Sequence, residues 1–181
     1  VQGLIAGINA ARYIQEKDPI VIDRSEGYIG VLIDDLVTKE NREPYRMMTS
    51  RSEYRLLLRQ DNADLRLRKI GYEAGLISQE EYDYVVLKEK MITDEVSRLQ
   101  QFKVGANKRT QEFLARHESA SLKTGTTMAE LMCRPELTYE MLAEIDEERP
   151  TLSEDVIEQV NINIKYDGYI KRQQKQVEQF K

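Results

Sequence analysis

Leu4, Ile5, Ile8 and Ala11 recur at helical spacing and predict a first helix within VQGLIAGINAARYIQEK, ended by Asp18-Pro19. Gly3 and Gly7 lie four residues apart on that helix, and each costs roughly 1 kcal/mol against alanine. Close packing against another element is the expected compensation, yet the chain predicts no sheet to supply it. PIVID reads as a short strand or an extended link, and GYIGVLIDDLV as a short, largely buried helix. TKENREPYRMMT then reads as a loop. Ser50 and Glu53 form an S-x-x-E capping signature, which predicts a helix over RSEYRLLLRQ.

ADLRLRKIGYEA predicts the next helix, with Gly75 as its C-terminal cap. Ser78 and Glu81 form a second capping signature. They open a long helix from Gln79 to Phe102 whose buried face is expected to carry Tyr82, Val85, Val86, Ile92, Val96 and Leu99. Gly105-Ala106-Asn107 breaks the pattern before a short helix over NKRTQEFLARH. After the loop ESASLKTGTT, Thr127 and Glu130 box the start of MAELMC, and Pro135 stops it. Thr138 starts another short helix, YEMLAEI.

From Ser153 onward two periods compete. Val160, Ile162, Ile164 and Tyr166 alternate as in a strand, whereas Val156, Ile157, Val160 and Ile164 fit a helix. The length of the segment and its Lys/Gln/Glu-rich continuation decide for helix. Gly168 is then a weak point in it, and Lys171, Arg172 and Lys175 form an exposed basic face. The fold class is therefore mostly α, a multi-helix domain. Both ends fall inside helical patterns, which predicts a piece of a longer protein.

Composition narrows the chemistry. A single cysteine among 181 residues excludes a disulfide framework and any multi-cysteine zinc site, and a cytoplasmic setting is expected. No apolar run approaches the length of a membrane span. Nucleotide-binding glycine loops, nucleophile elbows and zinc-protease motifs are absent. His117, the one histidine, reads as a surface residue at a helix end. Cys133 reads as a small buried hydrophobe, and Met47, Met48, Met128, Met132 and Met141 as core filler. Asp34-Asp35 reads as a solvated or arginine-paired helix edge, with metal or acid–base chemistry as the competing reading.

Charge patterning changes the picture most. The chain carries net charge -5, but residues 41–69 hold seven arginines and Lys69 against Glu43, Glu53, Asp61 and Asp64, a local +4. On the expected helix, Arg51, Arg55 and Arg59 would form one row. Tyr45 and Tyr54 each precede an arginine. Planar guanidinium groups beside aromatic rings suit phosphate contacts and base stacking; internal pairing with Asp34 and Asp35 is the alternative.

The stretch EPYRMMTSRSEYRLLLRQDNADLRL resembles the MnmG (GidA) family of tRNA-uridine-modifying flavoproteins, as do GLIAGINAAR, EGYIGVLIDDLVTK, RKIGYEAGLIS and KYDGYIKRQ. The resemblance implies a whole protein with FAD- and NADH-binding domains upstream and a C-terminal helical domain. It would be a homodimer that works with an MnmE-type GTPase on carbon 5 of the wobble uridine. It further implies that residues 1–17 are the last helix of an upstream FAD-binding α/β domain and residues 18–181 the helical domain, cut before its terminal bundle. Arg46, Arg51, Arg55 and Arg59 are the implied tRNA-binding residues. No catalytic, cofactor or metal site is expected in the chain, whose role would be tRNA or partner binding. A structural scaffold with internally paired arginines is the alternative. Met48 and Ser52 stand where the family often has Phe and Ala.

Overall fold

The computed structural model describes residues 1–40 and 42–180. Asn41, in the expected 38–49 loop, and Lys181, at the end of the last expected helix, lie outside the described residues. Eight α-helices and one two-stranded ladder are present among them, so the fold is mostly α. The chain divides into two compact units, residues 1–86 with 169–181, and residues 87–168.

In the first unit, α1 (Gln2–Ile14) buries no residue. It stops before Asp18-Pro19 because Glu16 takes a left-handed φ of 56°, and the Lys17 amide returns to the Arg12 carbonyl at 2.9 Å. PIVID is an extended link. The Asn9 side chain clasps both backbone groups of Ile20, at 2.9 and 2.7 Å. Then α2 (Tyr28–Thr38) buries Gly30, Val31 and Asp35. Gly30 admits no side chain, because its Cβ would stand 2.5 Å from the Ile22 carbonyl oxygen and closer still to that of Asp23.

The helix expected over residues 51–60 is not formed. A 3₁₀ turn covers Thr49–Arg51, and irregular turns follow. Its backbone and cap are engaged elsewhere. Glu53 pairs with Arg24 at 2.8 Å instead of capping Ser50. The Leu56 amide donates to Gln173 Oε1 at 3.1 Å, and Gln173 Nε2 donates to the Glu53 carbonyl at 3.2 Å. Only one turn closes, with the Leu57 and Leu58 amides both reaching the Tyr54 carbonyl at 3.0 Å. This places Leu58 inside at 3% exposure.

Helix α3 (Ala63–Glu73) ends as expected, with Gly75 at φ 76° and the Leu76 amide on the Gly71 carbonyl. Helix α4 (Gln79–Gln101) opens on the Ser78–Glu81 box, with amide bonds of 2.9 and 3.2 Å in the two directions. Its most buried stripe is Val85, Lys88, Ile92, Glu95 and Leu99. Val86 lies outside that stripe, 48% exposed, because the spacing of three and four residues passes through two charged positions instead.

The second unit holds most of the buried apolar core, including Leu99, Phe113, Leu114, Met128, Leu131, Met132, Leu142, Val156 and Val160. β1 (Lys103–Val104) pairs antiparallel with β2 (Thr126–Thr127), Lys103 opposite Thr127. Helix α5 (Lys108–Arg116) is capped by Asn107, whose Oδ1 accepts from the Thr110 amide at 3.0 Å. Helix α6 (Met128–Met132) starts on the expected Thr127–Glu130 box.

Instead of a helix over 139–145, a 3₁₀ turn covers Met141–Glu144. The Tyr139 amide is taken by Asn161, and the Tyr139 and Glu140 carbonyls are taken by Arg149. Helix α7 (Glu154–Lys165) buries Val156, Gln159, Val160 and Ile164, so the helical period prevails over the alternation. Helix α8 (Asp167–Phe180) follows after a break at Tyr166, and Gly168 sits in its first turn. Lys171, Arg172 and Lys175 are exposed, as expected.

Candidate nucleic-acid interface

Around Arg24 three carboxylates converge. Its Nη1 lies 2.9 Å from Asp34 and 2.6 Å from Asp35, and its Nη2 lies 2.8 Å from Glu53. Asp35 is fully buried and also accepts from Lys39 Nζ at 2.7 Å and from the Tyr45 hydroxyl at 2.7 Å. Burial pushes its carboxyl up, but the bonds from Lys39, Tyr45 and Arg24 outweigh it and hold it well below the usual carboxylate range. Burial and the bond to Asp35 likewise raise the Tyr45 phenol, which keeps it a donor. The Asp34-Asp35 pair is thus an arginine-paired helix edge, engaged by Arg24 and Lys39 rather than by the arginines of the basic segment.

Those arginines have separate fates. Arg51 does not align with Arg55 and Arg59 on a helix. Its guanidinium stacks over the Tyr45 ring at 4.4 Å, and its Nε donates to the Arg46 carbonyl at 3.0 Å. Arg59 is turned inward, 19% exposed, and pairs with Asp61 at 3.1 Å while donating to the Leu56 carbonyl. Arg66 donates to Asn62 and to the carbonyls of Glu26 and Arg59. Arg42 pairs with Glu40 on the surface. Arg46 and Arg55 are exposed, and their side chains meet no acidic partner among the described residues. The four sequence-selected arginines therefore split into two exposed cations, one stacked cation and one internal strut.

Other flagged residues also settle. His117 caps α5, with Nε2 3.0 Å from Glu144 Oε1 and its ring against Phe113. Cys133 is exposed rather than buried, because α6 turns Met128, Leu131 and Met132 inward and leaves its C-cap residue outside. Met128 and Met132 fill the core, but Met48 is 48% exposed on the extended backbone that leads into the 3₁₀ turn. Nothing in the sequence pattern singles out Arg24 or Gln173, the two residues that shape the arginine loop. No group of three or more potential metal ligands occurs among the described residues, and none of their helices is long and apolar enough to cross a membrane.

The fold and this loop define a helical protein that presents guanidinium groups on a buried ion-pair frame. Residues 79–174 match the profile of the tRNA modifying enzyme MnmG/GidA C-terminal helical domain, which is more than half of the chain. The chain belongs to the MnmG/GidA family. It is 64% identical over 180 residues to the tRNA uridine 5-carboxymethylaminomethyl modification enzyme MnmG of Lachnoclostridium phytofermentans, covering 99% of this chain and 29% of that relative. The MnmG of Caldicellulosiruptor saccharolyticus is 58% identical over the same shares. Aquifex aeolicus GidA, in its form II crystal, superposes with a TM-score of 0.82 at 40% identity, covering 98% of this chain and 27% of that one. The chain thus spans under a third of the length of the relatives it matches.

Proposed function

We propose that this chain is the tRNA-contacting helical part of a longer flavoenzyme that modifies carbon 5 of the wobble uridine. The observation that carries the reading is the pair of exposed, unneutralised arginines, Arg46 and Arg55, in a +4 segment of a -5 chain. Arg51, held over the Tyr45 ring, is the third contact. Arg59 acts as an internal strut. The names of the relatives support the reaction, and their greater length supports catalysis elsewhere in the whole protein.

Residues 1–17 in this reading close the FAD-binding domain and residues 18–181 form the helical domain. The open surface at Gly3 and Gly7, where an added Cβ would meet nothing within 4 Å, agrees with a packing partner supplied from upstream. Flavin binding needs a glycine-rich turn between strand and helix. In this reading FAD and NADH are bound by the upstream part of the whole protein. An MnmE-type GTPase, a homodimeric assembly and a cytoplasmic setting complete the proposal.

The test is tRNA binding by the full-length protein across a salt series. Arg46→Ala and Arg55→Ala should each weaken binding to all tRNAs and flatten the slope of log affinity against log salt by about 0.7–0.9. Arg59→Ala should lower the melting temperature and leave the slope unchanged. Unaltered affinity and slope in both Arg46→Ala and Arg55→Ala would overturn the reading.

A further inference from the structure

The arginine turn is held by a chain of contacts that begins in the buried frame. Asp35 lies at 0% exposure on α2 and fixes the Tyr45 hydroxyl at 2.7 Å. The Tyr45 ring carries the Arg51 guanidinium 4.4 Å from its centroid. Arg51 Nε then closes back on the Arg46 carbonyl at 3.0 Å. Arg24 secures the other side, donating to the Arg51 carbonyl at 3.2 Å while it binds Asp35 at 2.6 Å. One buried carboxylate therefore fixes both ends of the segment from Arg46 to Arg51. Without it, the described order within the segment comes from a three-residue 3₁₀ turn and the Arg51–Arg46 bond.

We infer that Tyr45 and Asp35 are positioning residues for RNA binding: they hold Arg51 over the Tyr45 ring and set Arg46 and Arg51 in one register for adjacent phosphates or a stacked base. The inference rests on the tRNA-contact reading above. A guanidinium already held over one ring has lost part of its rotamer freedom. Less ordering is then left for the moment of binding.

The experiment measures affinity for an unmodified tRNA transcript with uridine at the wobble position, using the full-length protein at several salt concentrations. Tyr45→Phe keeps the ring and removes the hydroxyl. It should weaken binding about tenfold, as expected for loss of a hydrogen bond to a carboxylate, with the parent's salt slope because no phosphate contact is removed. Tyr45→Leu should weaken it further. Arg51→Ala should abolish the difference: adding Tyr45→Leu to Arg51→Ala should change affinity less than about twofold. A merely structural tyrosine would give effects that multiply.

Multiplying effects, or parental binding by both Tyr45 variants, would overturn the inference. If Tyr45→Leu does not fold, the cycle of Tyr45→Phe with Arg51→Ala decides by the same criterion. Arg46→Ala and Arg55→Ala in the same series separate the two levels. If they bind normally, the tRNA reading fails. If they bind weakly while the Tyr45 variants bind normally, only the positioning role fails.

Discussion

Two glycines inside helices of the same unit should respond oppositely to the same substitution. Alanine in place of a helical glycine gains about 1 kcal/mol from backbone propensity alone. At Gly7, where a Cβ would meet nothing within 4 Å, that gain should appear nearly in full. At Gly30 the new Cβ would lie 2.5 Å from the Ile22 carbonyl oxygen and 2.6 Å from the Asp23 carbonyl carbon. Ordinary contact begins near 3.4 Å, and the Asp23 carbonyl oxygen is nearer still, so the largest overlap exceeds about 1 Å. Its partners are backbone atoms of the link that Asn9 clasps, and they cannot rotate away. Overpacking of this kind costs about 3 kcal/mol, the upper end of the usual range, which leaves a net loss of about 2 kcal/mol after the propensity gain. Gly7→Ala and Gly30→Ala should therefore differ by about 3 kcal/mol in the same chain. Urea unfolding followed by circular dichroism measures both, and because both glycines lie in one compact unit the comparison shares a reference. A Gly30→Ala chain as stable as its parent would refute the close-approach argument. Gly7→Leu should be nearly neutral in this chain and strongly destabilising in the full-length protein if the α1 face packs on an upstream domain.

Further outcomes follow from the buried charges of the second unit. Arg98 holds Glu95 at 2.7 Å and Asp146 at 2.6 Å, both nearly inaccessible, so Arg98→Ala should cost about 3–5 kcal/mol by leaving two carboxylates uncompensated. Tyr139→Phe, which removes only the hydroxyl bond to Glu95 at 2.9 Å, should cost about 1.5–3 kcal/mol; an equal loss in the two variants by chemical denaturation would contradict this ranking. The hydroxyl of Ser153 and then Lys88 hold the Asp155 carboxyl down to about 2, against an ordinary value of 3.8. Its folded-state value is depressed, so its contribution is present above about pH 4 and is lost as pH falls through about 2. The stability gap between parent and Asp155→Asn should accordingly be full at pH 6 and shrink below pH 4, and a gap independent of pH would show that the pair contributes nothing.

Local signals in the sequence determined the features whose partners lie within a single helical turn or cap. Gly75, the Ser78–Glu81 box and the Thr127–Glu130 box all appear as the spacing requires, because each cap closes on its own first or last turn. The helical period of residues 154–165 likewise prevailed, since Val156, Val160 and Ile164 bury one face. The same S-x-x-E spacing at Ser50 produced no helix. Its glutamate is claimed by Arg24, 29 residues away, and the following backbone by Gln173, 117 residues from Leu56. A capping signature is worth about 1 kcal/mol, less than a charge-assisted network that encloses a buried carboxylate.

The arginine site divides along the same line. Composition alone determined that residues 41–69 are basic and rich in guanidinium groups. Only the tertiary structure decided that Arg59 turns inward to Asp61, that Arg51 lies on Tyr45, and that Arg46 and Arg55 stay exposed. Lys88 and Glu95 show the converse, as charged residues that the hydrophobic pattern assigns to the surface. They are buried because Asp155 lies 2.9 Å from one and Arg98 2.7 Å from the other. Caps and periods are short-range properties of the chain. Whether a charged side chain faces water or another residue depends on which opposite charge folding brings within about 3 Å, because burial is tolerated only for charges that are paired and hydrogen-bonded.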